Sequence, residues 1–348
     1  MDDSFHGEVC MGVNRDDLPS WALDVLAVPG GSGRLSLEGK RLLDAQGNQL
    51  GFVDEGVACF ALPVGDSSID HYQSVGGAHF HERSGEPLAM SILDTPVYHA
   101  YLDMLRQGAE SGVVADIGGG DGRNAWPWLS WGHGRVVVTD PAIGGLKRLR
   151  RRAAQHDPSW LDRLLLIQAD ARSLPLATDF ADRALAVESL GYLNEDYEQG
   201  LSECARILKT GGRLLVSDKD YEASLVVQLI YGSGLSEVLR AGGCRDMWDI
   251  TPSGEVRNRS FTPDEFREAI STQCLKIVFQ RGLSALPLII SYLRSQGKLQ
   301  AKDASPGQIK QLGKLLWNLG QQGALRRCHV AMAEKCSVEP RANNPLRP

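Results

Sequence analysis

Asp116, Asp140 and Asp170 each stand at or just past the end of an apolar run, and the first is followed, one residue on, by Gly118, Gly119, Gly120 and Gly122. Glycines let a strand turn sharply and let backbone approach a ligand closely. A helix that starts after such a turn presents unpaired N–H groups, a ready site for anionic or polar ligand atoms. Asp140 lies roughly 20 residues beyond the glycines, the spacing at which a carboxylate can bind a ribose diol. A fourth acid, Glu188, ends the next apolar run. These residues point to a nucleotide-bearing cofactor; a nicotinamide dinucleotide and S-adenosylmethionine both remain open.

The elements that must hold these acids read as strands over 113–117, 135–140, 164–168, 184–188 and 213–218. Continuous apolar strands that alternate with helices make a parallel sheet covered on both faces. A helix through Leu201, Ala205, Ile207 and Leu208 stops at Gly211-Gly212. Thr262-Pro263-Asp264-Glu265 is a helix start, with a Thr cap, Pro in the first turn and Glu three residues after the cap. Two more strands are expected at 275–279 and 328–333, separated by a helical insertion, and a helix is expected over 95–105.

The runs D-I-G-G-G-D-G at 116–122, V-T-D at 138–140, Q-A-D-A-R-S-L-P-L at 168–176 and A-R-I-L-K-T-G-G-R-L-L-V-S-D at 205–218 form an ordered set. As a set they resemble the class I S-adenosylmethionine-dependent methyltransferases, in the style of the ubiquinone-methylase-like group. Thr210 replaces the proline usual in the last motif. The resemblance covers about 110–220 well and continues more weakly to about 335. It implies an α/β, Rossmann-like, seven-stranded doubly wound sheet, parallel with one antiparallel strand, and S-adenosyl-L-methionine as cofactor. It also implies residue roles. The turn Gly118, Gly119, Gly120, Asp121 and Gly122 passes under the amino-acid part, and Asp116 orients its ammonium. Asp140 takes the ribose hydroxyls, Asp170 and the Ala171 N–H take the adenine, and Glu188 faces the methionine end and the transferred methyl.

The implied reaction is in-line displacement onto a small-molecule acceptor, where positioning supplies much of the rate. A base is needed only if the acceptor is protonated. Catalytic candidates are Tyr192, which follows strand four, and His79 or His81 if the preceding segment folds over the site. Tyr72, Tyr221 and Trp248 are candidates to line an aromatic acceptor pocket, and Arg257 or Arg259 to hold an acceptor carboxylate or phosphate.

The remainder divides as follows. Residues 1–20 are expected to be a flexible N-terminus and 337–348 a disordered tail. Residues 21–62 alternate apolar and turn residues and resemble the Trm112-like zinc-ribbon module, but its four cysteine positions fall at Val28, Gly31, Asp44 and Gly47. Such a module must fold without metal, since zinc needs about four Cys or His ligands. A connecting or lid segment covers 63–108, and the methyltransferase domain covers 109–336, with insertions at about 218–262 and 284–325.

Seven scattered cysteines include no C-x-x-C pair, so neither zinc nor a disulfide framework is indicated. The net charge of −6 over 348 residues disfavours nucleic acid as partner, although Lys147-Arg148-Leu149-Arg150-Arg151-Arg152 runs the other way. No apolar run reaches the ~20 residues needed to span a bilayer, and the acidic start points to the cytoplasm. A homodimer is left open. Two other functions are weighed: an RNA methyltransferase, which that basic run would suit, and a non-catalytic methyltransferase-like scaffold.

Overall fold

The structure is a computed structural model that describes residues 17–31, 33–74, 90–132, 134–231, 246–251, 254–298, 306–322 and 326–337. The chain begins with helix α1 (Ala22–Val25) and an antiparallel meander of β1 (Ser36–Glu38), β2 (Arg41–Leu43), β3 (Gln49–Asp54) and β4 (Val57–Phe60). Between β3 and β4, Glu55 and Gly56 have φ of 46° and 72°. Two consecutive positive φ values make the tight turn whose twist matches paired strands. Helices α2 (Ser67–Ser74) and α3 (Met90–Arg106) lead into the alternating part.

There the order is β5 (Val113–Ile117), α4 (Ala125–Trp131), β6 (Arg135–Asp140), α5 (Ile143–His156), β7 (Leu164–Gln168), β8 (Ala181–Val187), α6 (Tyr197–Ile207) and β9 (Leu208–Asp220). Helix α7 (Tyr221–Tyr231), the hairpin β10 (Asp246–Thr251) and β11 (Gly254–Phe261), and α8 (Pro263–Ser271) follow. Strand β12 (Leu275–Ser284), α9 (Leu286–Ser295), α10 (Pro306–Gln322) and β13 (Arg326–Lys335) close the fold.

Strands β7-β6-β5-β8-β9 are parallel neighbours, and β13 runs antiparallel to both β9 and β12. This is the Rossmann-like arrangement expected from the apolar runs. Alternate residues of each strand feed opposite faces. Leu165 and Ile167 of β7 join Val137, Ala115 and Val216 in one core, whereas Leu164 and Leu166 join Val136, Val138, Val114 and Leu215 in the other. The α8 start is a capping box: Thr262 Oγ1 accepts the Glu265 N–H, and Glu265 accepts the Thr262 N–H at 2.9 Å.

Two features differ from the sequence reading. The excursion after β9 contains the β10–β11 hairpin, and β11 joins the sheet through Ser260 and Phe261 beside Lys219 and Asp220 of β9. The N-terminal meander continues the main sheet, because β4 pairs parallel with β7, Val57 opposite Leu166 and Cys59 opposite Gln168. Hydrogen bonds close the turns at Val28, Gly31, Asp44 and Gly47. Val28 N–H donates to Gly33 O at 2.7 Å and Gly31 N–H to Val28 O at 2.9 Å. Asp44 Oδ1 accepts the Gln46 and Asn48 N–H groups at 2.9 and 2.8 Å.

Candidate functional site

The glycine turn leaves β5 at Ile117. Gly118, with φ of 71°, packs so tightly that a Cβ there would overlap Ser189 Cβ. Gly122, with φ of 90°, leaves no room for a Cβ beside Leu149. The Gly118 and Gly119 N–H groups donate to Thr139 O at 2.8 and 3.1 Å, which ties the turn to β6. Asp140, at the end of β6, completes the tie: Oδ2 accepts the Gly120 N–H and Oδ1 the Ala142 N–H, both at 2.8 Å. Burial pushes its carboxyl up to about 6 against these two bonds. Each oxygen keeps a second lone pair for a ligand.

Beneath the turn lies Asp116, 1% exposed, with neither carboxylate oxygen hydrogen-bonded among the described residues. Desolvation pushes it up to about 7, opposed by the Arg123 charge and reinforced by Asp140. A buried carboxyl without partners is costly, so this one marks a place where a ligand group would be welcome.

Above these groups opens a cleft of about 1280 Å³, counting its mouth. Its wall includes Gly118, Gly119, Gly120, Asp121 and Asp140, then Asp170 and Ala171 after β7, then Glu188, Leu190, Tyr192 and Leu193 after β8. Ligands of open α/β sheets bind at the carboxyl ends of strands, and these residues stand there. Helix α2 contributes Ser68, Ile69 and Tyr72 to the same wall. Tyr72 meets Tyr192 edge-on with ring centroids 5.1 Å apart, and Ser68 Oγ donates to Tyr192 O at 3.3 Å.

Arg172 fastens this wall. Its Nε donates to both Asp170 oxygens at 3.0 and 2.8 Å, and it reaches Asp66 at 2.9 Å and Asp196 at 3.1 Å. Asp66 in turn caps α2, accepting the Ser68 and Ile69 N–H groups at 3.0 and 3.2 Å. Glu188 is held as firmly. Tyr98 OH donates to it at 2.6 Å, and Arg327 donates at 2.7 and 3.0 Å. Its carboxyl therefore lies well below the usual carboxylate range: the Arg327 charge and hydrogen bond, with Arg123, overcome a larger opposing desolvation.

Several expected site residues lie elsewhere. Arg257 pairs with Glu195 at 2.6 Å, and Arg259 with both oxygens of Glu198 at 3.0 Å while covering the rings of Tyr197 and Phe261. Neither lines the cleft, because acids of the neighbouring helical segment recruit both guanidiniums. Tyr221 starts α7 and is also outside the lining. Trp248 sits on β10 opposite Arg257, but its side chain, like His79 and His81, lies outside the described residues. The basic run 147–152 is largely spoken for. Lys147 pairs with Asp54 and Glu55 at 2.6 and 2.7 Å, Arg150 is 6% exposed and donates to Asp17 O, and Arg152 covers Trp126. Sequence reasoning missed Tyr98, Arg327 and the Asp66–Arg172 tie. Only the nearness of Arg172 to Asp170 gave any local signal.

Residues 114–212, which supply most of this wall, match the family described as "Methyltransferase domain". This is a class I methyltransferase domain. Methyltransferase GfsG of Streptomyces halstedii is 36% identical over 106 residues, 30% of this chain and 37% of that protein. The ubiquinone/menaquinone biosynthesis C-methyltransferase UbiE of Paracoccus denitrificans is 34% identical over 120 residues, 34% of this chain and 46% of that protein. The chain thus spans about half or less of the curated relatives it matches. Among solved structures, a chain of the complex between the Haloferax volcanii Trm112 methyltransferase activator and its methyltransferase aligns with a TM-score of 0.50 at 18% identity. That alignment covers 78% of this chain and 99% of the other, a likeness of fold.

The cofactor of this methyltransferase domain is S-adenosylmethionine, and the cleft fits it. An adenosine with a cationic amino-acid end calls for a glycine cradle, carboxylates along its length and an anionic group under the turn. Gly118, Gly119 and Gly120 in the wall, Asp140, Asp170 and Glu188 along it, and Asp116 buried beneath the turn with no hydrogen bond among the described residues are such features.

Among the described residues, no helix is long and apolar enough to cross a membrane.

Proposed function

We propose that the protein transfers a methyl group from S-adenosylmethionine to a small-molecule acceptor by in-line displacement. The observation that carries this reading is the run of acids Asp140, Asp170 and Glu188 along one cleft beside the glycine turn. Asp116 and the backbone of Gly118, Gly119, Gly120, Asp121 and Gly122 hold the amino-acid end. Asp140 holds the ribose, and Asp170 with the Ala171 N–H holds the adenine. When bound, the cofactor supplies an electrophilic methyl on a positive sulfonium.

The chain's own residues orient that methyl and exclude water. Glu188, held ionised, presents negative charge to a cation and is a poor proton acceptor near neutral pH. Tyr72 and Tyr192 form an aromatic wall on the acceptor side, next to Ile69 and Leu193. A flat, largely apolar acceptor suits that wall. UbiE relatives, named for ubiquinone and menaquinone biosynthesis, lend support to a ring-bearing acceptor. Tyr192 is the described residue best placed to touch the acceptor.

The test is calorimetric titration with adenosylhomocysteine, then transfer of labelled methyl to a pool of small metabolites with mass identification of the product. Binding without any transfer would favour a cofactor-holding scaffold. Label in RNA instead would favour the RNA methyltransferase reading.

A further inference from the structure

Glu188 has a backbone φ of 53°, in the left-handed region, which strains a residue with a Cβ. Strain of that kind persists where the surroundings over-determine it. Here they do. The Glu188 N–H donates to Ser217 O at 2.7 Å, and the side chain is gripped from two sides. From α3 comes Tyr98, fully buried, whose hydroxyl also lies 3.1 Å from Ser217 Oγ. From the second residue of β13 comes Arg327, which grips both carboxylate oxygens. Two-point pairing fixes the plane of a carboxylate as well as its charge.

The pair is oriented. The Arg327 side chain is 8% exposed and that of Glu188 20%, so the cation sits behind and the anion faces the cleft. A carboxylate has about four acceptor positions, and Tyr98 with the two Arg327 nitrogens uses three. Among the described residues nothing takes the fourth, which remains for a ligand.

We infer that Arg327 is a positioning residue for the cofactor: acting through Glu188, it fixes the plane and aim of a carboxylate, with one free acceptor position, against the ligand's cationic amino-acid and sulfonium end. This rests on the cofactor reading above. It assigns a role in the site to the last strand of the sheet, 139 positions from Glu188 and outside the matched segment 114–212. It also explains why a carboxylate stands in a strained conformation at the tip of β8: the strain aims the group and the guanidinium keeps it there.

The alternative is a plain structural pin between β8 and β13. A double-mutant cycle on the full chain separates the two, read by calorimetry with adenosylhomocysteine and, independently, by urea unfolding without ligand. Glu188→Gln and Arg327→Met should each weaken binding more than tenfold. The double variant should bind no more weakly than Glu188→Gln alone, because Arg327 has nothing left to position. Arg327→Lys should recover part of the loss. Removing Arg327 alone strands a buried carboxylate, so Arg327→Met should unfold most easily and the double variant should regain stability. If Arg327→Met cannot be purified folded, the double and Lys variants still decide the matter.

The inference is overturned if the affinity losses multiply to about a hundredfold, or if Arg327→Met or Arg327→Lys changes stability while binding as wild type does. In either case the cofactor reading stands. Wild-type protein that fails to bind adenosylhomocysteine would remove both.

Discussion

Asp116 sets stability against function, and its replacement by Asn reads both. The carboxyl is displaced from 3.8 to about 7, chiefly by burial. Between those values the folded chain holds a proton that the unfolded chain has released, so stability falls as pH rises through this window. The whole displacement corresponds to roughly 4 kcal/mol of destabilisation above pH 7. An Asn has nearly the same shape and cannot ionise. The gap in unfolding free energy between Asp116→Asn and wild type should therefore widen, in favour of the variant, by roughly 3 kcal/mol between pH 5 and pH 8. Asp218, pushed up to about 7, and Asp140, to about 6, titrate in both proteins and largely cancel from the difference. Urea unfolding followed by tryptophan fluorescence at the two pH values measures it. Binding should show the reverse. A cationic ligand favours the ionised carboxylate, so wild type should release a proton on binding near neutral pH and bind more tightly as pH rises through about 7. The variant should bind more weakly and release less. Titrations in buffers of different ionisation enthalpy count those protons. A stability gap that stays flat with pH, or equal proton release by the two proteins, would refute the reasoning.

Three further outcomes follow from the same geometry. Asp140→Ala removes both the ribose acceptor and the tie to Gly120, and should weaken adenosylhomocysteine binding more than tenfold; unchanged affinity in calorimetry would mean the ribose assignment is wrong. Arg172→Met cuts the link from Asp170 to Asp66, so hydrogen exchange over 67–74 should quicken and binding weaken several-fold, whereas unaltered exchange would show that α2 is held by its apolar contacts alone. Deleting residues 1–62 bares the β7 edge that β4 covers and removes the bonds from Ala27 N–H to Pro175 O and Gly30 N–H to Leu174 O. The remainder should aggregate or lose cofactor affinity, and a soluble fragment of full affinity would contradict this.

What could be read from the sequence was local, and what could not was distant. Leu164–Ile167 announces a buried parallel strand because all four residues go inside, on alternating faces. The glycine turn and Asp140 are legible because backbone geometry and a single βαβ unit fix their spacing. Thr262 and Glu265 form their cap within one helical turn. Arg257 and Arg259 misled for the opposite reason. Their charges look like ligand-seeking loop residues until Glu195 and Glu198, some sixty positions earlier, are brought across by the β10–β11 hairpin. Arg327 carried no signal at all, since an arginine pair at the start of a strand says nothing about a glutamate 139 positions away. A charge near a crevice is therefore informative only once its nearest counter-charge is known. By that criterion the acids in and beneath the cleft fall into two kinds. Glu188 and Asp170 are each paired with an arginine and act as fixed charges. Among the described residues Asp116 has no hydrogen-bond partner and Asp140 accepts only from backbone N–H groups, so the ligand itself must complete the site on the glycine side.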